Sequence, residues 1–383
     1  MLLGLLLSEL DGAAPYELID VCDRWLRRHT GARWSRLLLV DYGETVLEPV
    51  PGNGSGPVHR RHTVDDDTAG TAYREQRVVT DLASDAPDVV VHLPVTIRTE
   101  RLGVLVVALP ADVEGVPDEV SDAARVLAYV LNGARRYTDR YEVLRRRRDL
   151  GLAAEIQWEL LPVLANELPE FSIAGALEPT YEIGGDTFDY AVNATQVVVA
   201  ITDAVGHGLR AALLGSLAVT AMRNSRRCGD GILGQAATAN RHLVEQFPGA
   251  NFVTGILMDI ELATGSGVVV NAGHPAPLLL RDGAAAQLMW EPDMPMGLDA
   301  DTVYRTHRLD LRHGDRLLLL TDGITEAHVA GSPPFGTRRV MEFLIAQAHR
   351  TPAEFVRHLT AEVLAFRGGD LADDATAVCL DWR

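Results

Sequence analysis

Lysine is missing from this chain of 383 residues, so arginine supplies all 35 of its strongly basic side chains. Without lysine the chain cannot form a Schiff base, and it lacks the lysine that P-loop proteins and protein kinases place on nucleotide phosphates. Positive charge is also scarce overall, because the acidic residues bring the formal net charge to −18. Nucleic acid and anionic membranes attract basic surfaces, so neither is an expected partner.

Cysteine is almost as rare. Cys22, Cys228 and Cys379 are widely separated and odd in number, which excludes a disulfide framework and a Cys-x-x-Cys metal site and favours a reducing cytoplasm. Long apolar runs are also lacking. The opening "MLLGLLLSEL" has no basic flank and meets Glu9 early, so it is too short for a signal peptide or a membrane span.

Residues 1–120 mix short helical and strand patterns around a Gly-rich loop, with no cluster of metal ligands or nucleophiles. Their order is similar to that of a GAF domain. A helix-to-strand passage marked by Gly70, Ala72 and Val79 precedes the apolar hairpin "LPVTIRTERLGVLVV". The resemblance implies an α/β sensor domain that binds an unidentified small molecule.

A helical pattern occupies residues 121–164, which we interpret as a linker. Its apolar stripe alternates steps of four and three and comprises Ala123, Leu127, Val130, Ala134, Tyr137, Tyr141 and Leu144. This spacing is typical of a coiled coil, which predicts a homodimer, but it also fits a helix packed on its own domain. After four arginines the helix resumes in "LAAEIQWELLP" and ends at Pro162.

Residues 165–383 alternate apolar strands with long helices. Strands such as "QVVVAIT", "FVTGILMDI" and "ATAVCL" are separated by turns or by predicted helices near 208–225, 233–247, 337–348 and 352–366. Adjacent strands with inserted helices predict a layered α+β fold rather than a doubly wound parallel sheet.

Acidic residues stand at the ends of strands in this last region. Four consecutive leucines lead to Asp322, an apolar run leads to Asp203, two glycines precede Asp186, and Asp373 and Asp374 come just before the last strand. Each could be an ordinary turn residue. Together they predict a carboxylate cluster, and such a cluster requires a cation because like charges repel.

Oxygen ligands without histidine or cysteine select Mg²⁺ or Mn²⁺ over Zn²⁺. Neighbouring glycines, such as Gly185 and Gly323, allow the backbone to approach an ion closely. A site with two metal ions suits the hydrolysis of a phosphate ester, because the ions can activate water and neutralise the phosphate oxygens.

Eight motifs occur in the order of a known family. They are "EIGGDTFDY", "ITDAVGHGLRAAL", "FVTGILMDIELATG", "VVNAGHPAPLLL", "PMGL", "LLLLTDGITEA", "FG" at Phe335 and "DDATAVCL". From about Leu152 onward the chain resembles the stage II sporulation protein E-like branch of the metal-dependent (PPM) protein phosphatases. The resemblance implies an α-β-β-α sandwich and a serine/threonine protein phosphatase with two Mn²⁺ or Mg²⁺ ions. It also implies a phosphorylated anti-sigma-factor antagonist of the STAS type as substrate.

The resemblance also implies roles for individual residues. Asp203 would bridge both metal ions, with the Ala204 carbonyl also facing the site, and Asp186 would serve the second ion. These two aspartates are the expected catalytic residues.

The first ion would be held by Asp322 and Asp373, with Asp374 as the alternative to Asp373. His207 stands where the family often has lysine, and we interpret it as an exposed loop residue rather than a phosphate contact. His274 is interpreted as a structural hydrogen-bonding residue rather than a general acid.

The sequence also admits three other interpretations. "GGDTF" resembles the diguanylate cyclase signature, but Thr187 replaces its glutamate. A signalling scaffold that binds its partner without turnover would be expected to have lost a ligand acid, and here all are present. A small-molecule receptor with the enzyme as its output is compatible with the phosphatase.

Overall fold

The computed structural model describes residues 2–52, 60–81, 88–113, 115–147, 149–178, 184–249, 251–329, 331–368 and 374–383. The chain forms two compact units, Met1–Asp149 and Leu150–Arg383. Each unit has its own hydrophobic core.

The first unit contains one antiparallel sheet with the strand order β3-β2-β1-β6-β5-β4. Its elements are α1 (Leu2–Asp11), α2 (Leu18–Thr30), β1 (Trp34–Val40), β2 (Val46–Pro49), β3 (His62–Thr63), α3 (Thr68–Glu75), β4 (Val79–Asp81), β5 (Asp88–Ile97), β6 (Glu100–Pro110), α4 (Asp118–Ala134) and α5 (Arg140–Arg145).

Both faces of this sheet are covered, which explains why the second half of β1, residues 37–40, is apolar without interruption. Leu37 and Leu39 pack with α1, α2 and α4 on one face. Leu38 and Val40 pack with α3 on the other face. Side chains alternate between the faces of a strand, so a strand buried on both sides has no polar positions.

The two features that resemble a GAF domain are present as local structure. Gly70 and Ala72 lie in α3, and Val79 opens β4 after a short turn. β5 and β6 form the expected antiparallel hairpin. Assignment of this unit to the GAF family stays a prediction.

The apolar stripe of the predicted linker faces the core of its own unit. Ala123, Leu127 and Tyr141 are fully buried there, whereas Tyr137 is 79% exposed. The Tyr141 hydroxyl donates to the carbonyl of Pro15. The first unit therefore extends to Asp149, beyond the predicted boundary at residue 120, and most of the stripe is not available for a coiled coil.

The second unit contains two antiparallel sheets, with the orders β15-β12-β11-β10-β9 and β14-β13-β16-β17-β8-β7. Its elements are α6 (Leu152–Leu160), β7 (Ala165–Glu167), β8 (Phe171–Glu178), β9 (Thr187–Val192), β10 (Gln196–Ala204), α7 (Gly208–Arg227), α8 (Ile232–Gln246), β11 (Val253–Glu261), β12 (Ser266–Ala272), β13 (Leu278–Arg281), β14 (Ala284–Gln287), β15 (His307–Asp310), β16 (Arg316–Leu320), α9 (Asp322–Thr325), α10 (Gly336–Ala346), α11 (Pro352–Arg367) and β17 (Ala375–Trp382).

The four-leucine run shows how the layers stack. Leu317 and Leu319 of β16 belong to the core between the two sheets. Leu318 and Leu320 belong to the core between the second sheet and the helices α10 and α11. The first sheet is covered on its outer face by α7 and α8. The predicted layered α+β fold is confirmed, with the layer order α-β-β-α.

The four long helices predicted in this region are all present, within two residues of the predicted bounds. None of the described helices combines the length and the apolar character needed to cross a membrane.

Candidate active site

Five of the six predicted site residues lie at strand ends in the described part of the second unit. Asp186 directly precedes β9, and Asp203 and Ala204 end β10 in the same sheet. Asp322 begins α9 after β16, and Asp374 directly precedes β17 in the facing sheet. Asp373 lies outside the described residues. The structure therefore places acidic residues from both sheets at the edge of their common core.

Hydrogen bonds join three of these strand ends. The backbone N–H of Asp186 donates to Oδ2 of Asp374 at 3.2 Å. The hydroxyl of Thr321, which follows β16, donates to Oδ2 of Asp186 at 2.5 Å. The same hydroxyl oxygen accepts the N–H of Thr376 at 2.9 Å. The two sheets are thus linked through the carboxylate of Asp186.

Asp186 lies in a strongly unfavourable environment for a lone negative charge. Burial raises its pKa well above the usual range, and the negative charges of Asp203 and Asp374 raise the pKa further. The hydroxyls of Thr321 and Thr376 oppose this effect only in part. Asp203 and Asp374 therefore each lie close enough to Asp186 to repel its charge, which favours a cation beside it.

Gln157 of α6 supports this cluster from the side. Its amide nitrogen donates to the carbonyl of Asp186 and, at 3.4 Å, to Oδ2 of Asp374. The C-terminal end of α6 is held by Arg223, which donates to the carbonyl of Leu160 at 2.7 Å and pairs with the buried Asp189 at 2.8 Å. Helix α6 is therefore fixed to the acidic cluster at one point and to α7 and β9 at another.

Glycines bring the backbone close at two points of the cluster. A Cβ atom on Gly185 would lie 3.0 Å from the Ala204 carbonyl oxygen and 3.7 Å from Oδ2 of Asp374. A Cβ atom on Gly323 would lie 1.7 Å from the Asp374 carbonyl oxygen. Only glycine allows the approach at position 323, whereas a side chain at position 185 would require its neighbours to shift slightly.

Two histidines, weighed above as a phosphate contact and a general acid, have the surroundings of a loop residue and a structural residue. His207 is an exposed residue directly before α7, as expected for a loop position. His274 is buried and hydrogen-bonded at both ring nitrogens, as expected for a structural residue.

Sequence reasoning missed Thr321 and Gln157. Thr321 follows the leucine strand directly and is fully buried, so the signal was a hydroxyl at the end of an apolar run. Gln157 lies three and four residues after the buried Ala154 and Ala153, on the buried face of α6. A polar side chain at that spacing is the sign of a buried hydrogen-bonding role.

The comparisons with known proteins agree with this arrangement. The family model of stage II sporulation protein E (SpoIIE) matches residues 193–383. The second unit is a SpoIIE-type PP2C phosphatase domain. The match includes Asp203, Asp322 and Asp374 and begins after Asp186.

Two relatives from Bacillus subtilis carry the name phosphoserine phosphatase. RsbP is 27% identical over 190 residues, which are 48% of this chain and 46% of RsbP. RsbU is 22% identical over 272 residues, which are 69% of this chain and 81% of RsbU. The matched part of this chain thus spans less than half of RsbP and most of RsbU.

A solved structure supports the fold. The SiaA-PP2C domain of Pseudomonas aeruginosa is 21% identical, and the match covers 60% of this chain and 94% of that domain with a TM-score of 0.51. This likeness concerns the fold of the SpoIIE-type domain alone.

The donor set of the SpoIIE-type domain fits hard divalent ions. Carboxylates and the Ala204 carbonyl are oxygen donors, which Mg²⁺ and Mn²⁺ prefer. The gap beside Gly185 borders both this carbonyl and Asp374. Among the described residues, no three metal-binding side chains already stand together as a complete site.

Proposed function

We propose that the SpoIIE-type domain hydrolyses phosphoserine or phosphothreonine in a protein, with two Mn²⁺ or Mg²⁺ ions. The observation that supports this function best is the cluster of Asp186, Asp203 and Asp374, contributed by both sheets of a PP2C-type sandwich. A phosphate ester carries negative charge, so a site made of carboxylates alone would repel it. Divalent cations are therefore part of the proposed reaction.

Each residue has a proposed part in holding these ions. Asp203 and the Ala204 carbonyl would contribute to holding both ions, and Asp186 would help to hold the second. Asp322 would hold the first ion together with Asp373 or Asp374. When bound, such ions lower the pKa of water and neutralise phosphate charge.

The surrounding side chains orient the carboxylates. Thr321 directs Oδ2 of Asp186 through its hydroxyl. Gln157 holds the backbone of Asp186 and the side chain of Asp374 in one arrangement. Because these contacts orient Asp186 and Asp374 before an ion binds, little reorganisation of these two carboxylates would be needed on binding.

We infer that the substrate is a phosphorylated STAS-type anti-sigma-factor antagonist. The SpoIIE match of residues 193–383 and the name phosphoserine phosphatase shared by RsbP and RsbU support this substrate class. The first unit would act as a sensor of a small molecule that regulates the phosphatase. The three free cysteines, two of them buried, support a location in the reducing cytoplasm.

The test uses the full chain, freed of metal with a chelator and assayed on an aryl phosphate. Hydrolysis should require added Mn²⁺ or Mg²⁺, and Asp203→Asn or Asp322→Asn should lower it by at least about a thousandfold, since both changes remove charge from the proposed ligands. Circular dichroism should show an unchanged fold. Activity that survives either change, in protein that binds metal normally, would refute the assignment.

The substrate class is tested on the same protein. A phosphorylated STAS protein should be dephosphorylated faster than phosphotyrosine peptides or nucleotides. A preference for nucleotides would contradict the proposed substrate. Binding of the STAS protein without any turnover would instead favour the signalling scaffold.

A further inference from the structure

The imidazole ring of His274 connects the two sheets of the second unit. Its Nε2 lies 3.1 Å from the carbonyl oxygen of Leu320, at the end of β16. Its Nδ1 lies 2.9 Å from the hydroxyl of Thr254, in β11 of the other sheet. His274 is buried, so both contacts are made away from bulk water.

These two partners determine where the proton of the ring resides. A carbonyl oxygen can only accept a hydrogen bond, so Nε2 of His274 carries the proton. Burial lowers the pKa of His274 to about 4, which keeps the ring neutral at physiological pH. Nδ1 of a neutral ring in this tautomer is an acceptor, and it receives the hydroxyl proton of Thr254.

Each partner of the ring lies next to or near a proposed metal ligand. Thr254 pairs with Asp203 across β10 and β11, so the two residues are neighbours in the sheet. Leu320 is two residues before Asp322 and directly precedes Thr321, whose hydroxyl bonds Asp186. The ring therefore joins the strand beside one ligand to the strand that carries another.

The local sequence "NAGH" holds the ring in place. Oδ1 of Asn271 accepts the N–H of His274 at 2.8 Å, and the amide of Asn271 donates to the His274 carbonyl at 3.2 Å. Gly273 has a φ of +74°, and a Cβ there would lie 2.7 Å from a carbon of Pro295. Asn271, Gly273 and His274 thus together fix the orientation of the imidazole ring.

We infer that His274 is a positioning residue: in its Nε2–H form it sets the separation between the Asp203 strand and the Asp322 strand, and thereby the affinity for metal. This inference rests on the proposed function, because it concerns the same ligands. It assigns His274 no contact with substrate and no metal ion. The prediction is that breaking either hydrogen bond weakens metal binding without unfolding the domain.

The first variant alters Thr254, which donates a hydrogen bond to the imidazole ring of His274. Thr254→Val keeps the side-chain volume nearly constant and removes the hydroxyl that donates a hydrogen bond to Nδ1 of His274. Mn²⁺ binding to the full chain, measured by isothermal titration calorimetry, should weaken about tenfold, as is typical for groups that orient metal ligands. Thr254→Ser retains the hydroxyl and should bind Mn²⁺ within about twofold of the wild type. His274→Asn cannot reach both partners and should lose at least as much affinity as Thr254→Val.

A control separates positioning from general stability. Ile260→Val removes one methylene group from a fully buried residue at the far end of β11 and should lower the melting temperature without changing Mn²⁺ affinity. Equal Mn²⁺ affinity in the wild type and in Thr254→Val would overturn the inference while leaving the proposed function intact. Absence of Mn²⁺ binding by the wild type would refute the proposed function and this inference together.

Discussion

Individual ionisable residues at or near the site are buried, which is unfavourable for their charged forms. Asp186 is buried among other carboxylates, and its pKa is raised by that burial and by Asp203 and Asp374. His274 is buried in the neutral form, with its pKa lowered to about 4. Such groups reduce the stability of the free protein, which is a common property of catalytic sites.

His274 predicts a specific dependence of stability on pH. Its pKa is 6.5 when unfolded and about 4 when folded, so between these values the unfolded chain binds more protons and stability falls as the pH falls. Lowering the pH from 7 to 5 should therefore reduce the free energy of unfolding by about 2 kcal/mol through this residue alone. Urea unfolding at the two pH values, with a chelator present, measures the difference.

The comparison with His274→Asn isolates this residue from the other titrating groups. The variant should be less stable than the wild type at pH 7, but it should lose about 2 kcal/mol less on going to pH 5. An identical pH dependence in both proteins would show that His274 is not buried in the neutral form.

At the scale of elements, the site depends on how short segments pack at strand ends. Helix α9 begins at Asp322, directly after Thr321, and its second residue, Gly323, packs on the backbone that leads into β17. This close packing sets the position of Asp322 relative to Asp374. The contact is between backbones, so a side chain at position 323 would separate the two segments.

Gly323→Ala tests this packing. A Cβ atom 1.7 Å from the Asp374 carbonyl oxygen must move the backbone, so the second unit should lose about 3 kcal/mol of unfolding free energy. The change is measured by denaturant unfolding of the full chain. Gly133→Ala in α4, where no atom lies within 4 Å of the new Cβ, should be neutral or stabilise the first unit by about 0.5–1 kcal/mol. A neutral Gly323→Ala would contradict the described contact.

At the scale of the whole molecule, the chain is two units with separate cores. The segment predicted to link them divides at Asp149, because α4 and α5 pack in the first unit and α6 packs in the second. The apolar stripe therefore contributes to the fold of the first unit. This burial removes most of the apolar surface on which the prediction of a homodimer depended, and Tyr137 remains exposed.

Two charged substitutions in the stripe distinguish packing within the first unit from pairing with a second chain. Leu127→Asp places a charge in a fully buried position and should cost at least about 4 kcal/mol, which unfolds the first unit. Tyr137→Asp changes a residue that is 79% exposed and should leave the melting temperature unchanged. Thermal unfolding and light scattering on both variants measure the outcome. A wild-type dimer that dissociates in Tyr137→Asp, with the first unit still folded, would restore the coiled-coil interpretation.

Much of the second unit could be predicted because its signals are local. Apolar runs identified the strands, helical spacing identified the four long helices, and the position of each aspartate after or before a strand marked the site. These patterns depend on which face of a strand or helix is buried, and that information lies in a few neighbouring residues. The motif order then indicated the family, which the match of residues 193–383 supports.

Only the tertiary structure decided which side chains meet. Thr321 bonds Asp186 across 135 residues, and Gln157 bonds Asp374 across 217 residues. The stripe on α4 could face either a second chain or its own sheet, and its spacing is the same in both cases. Periodicity reports that a face is buried, whereas the identity of the partner depends on the order of strands in the sheets and on how the layers stack.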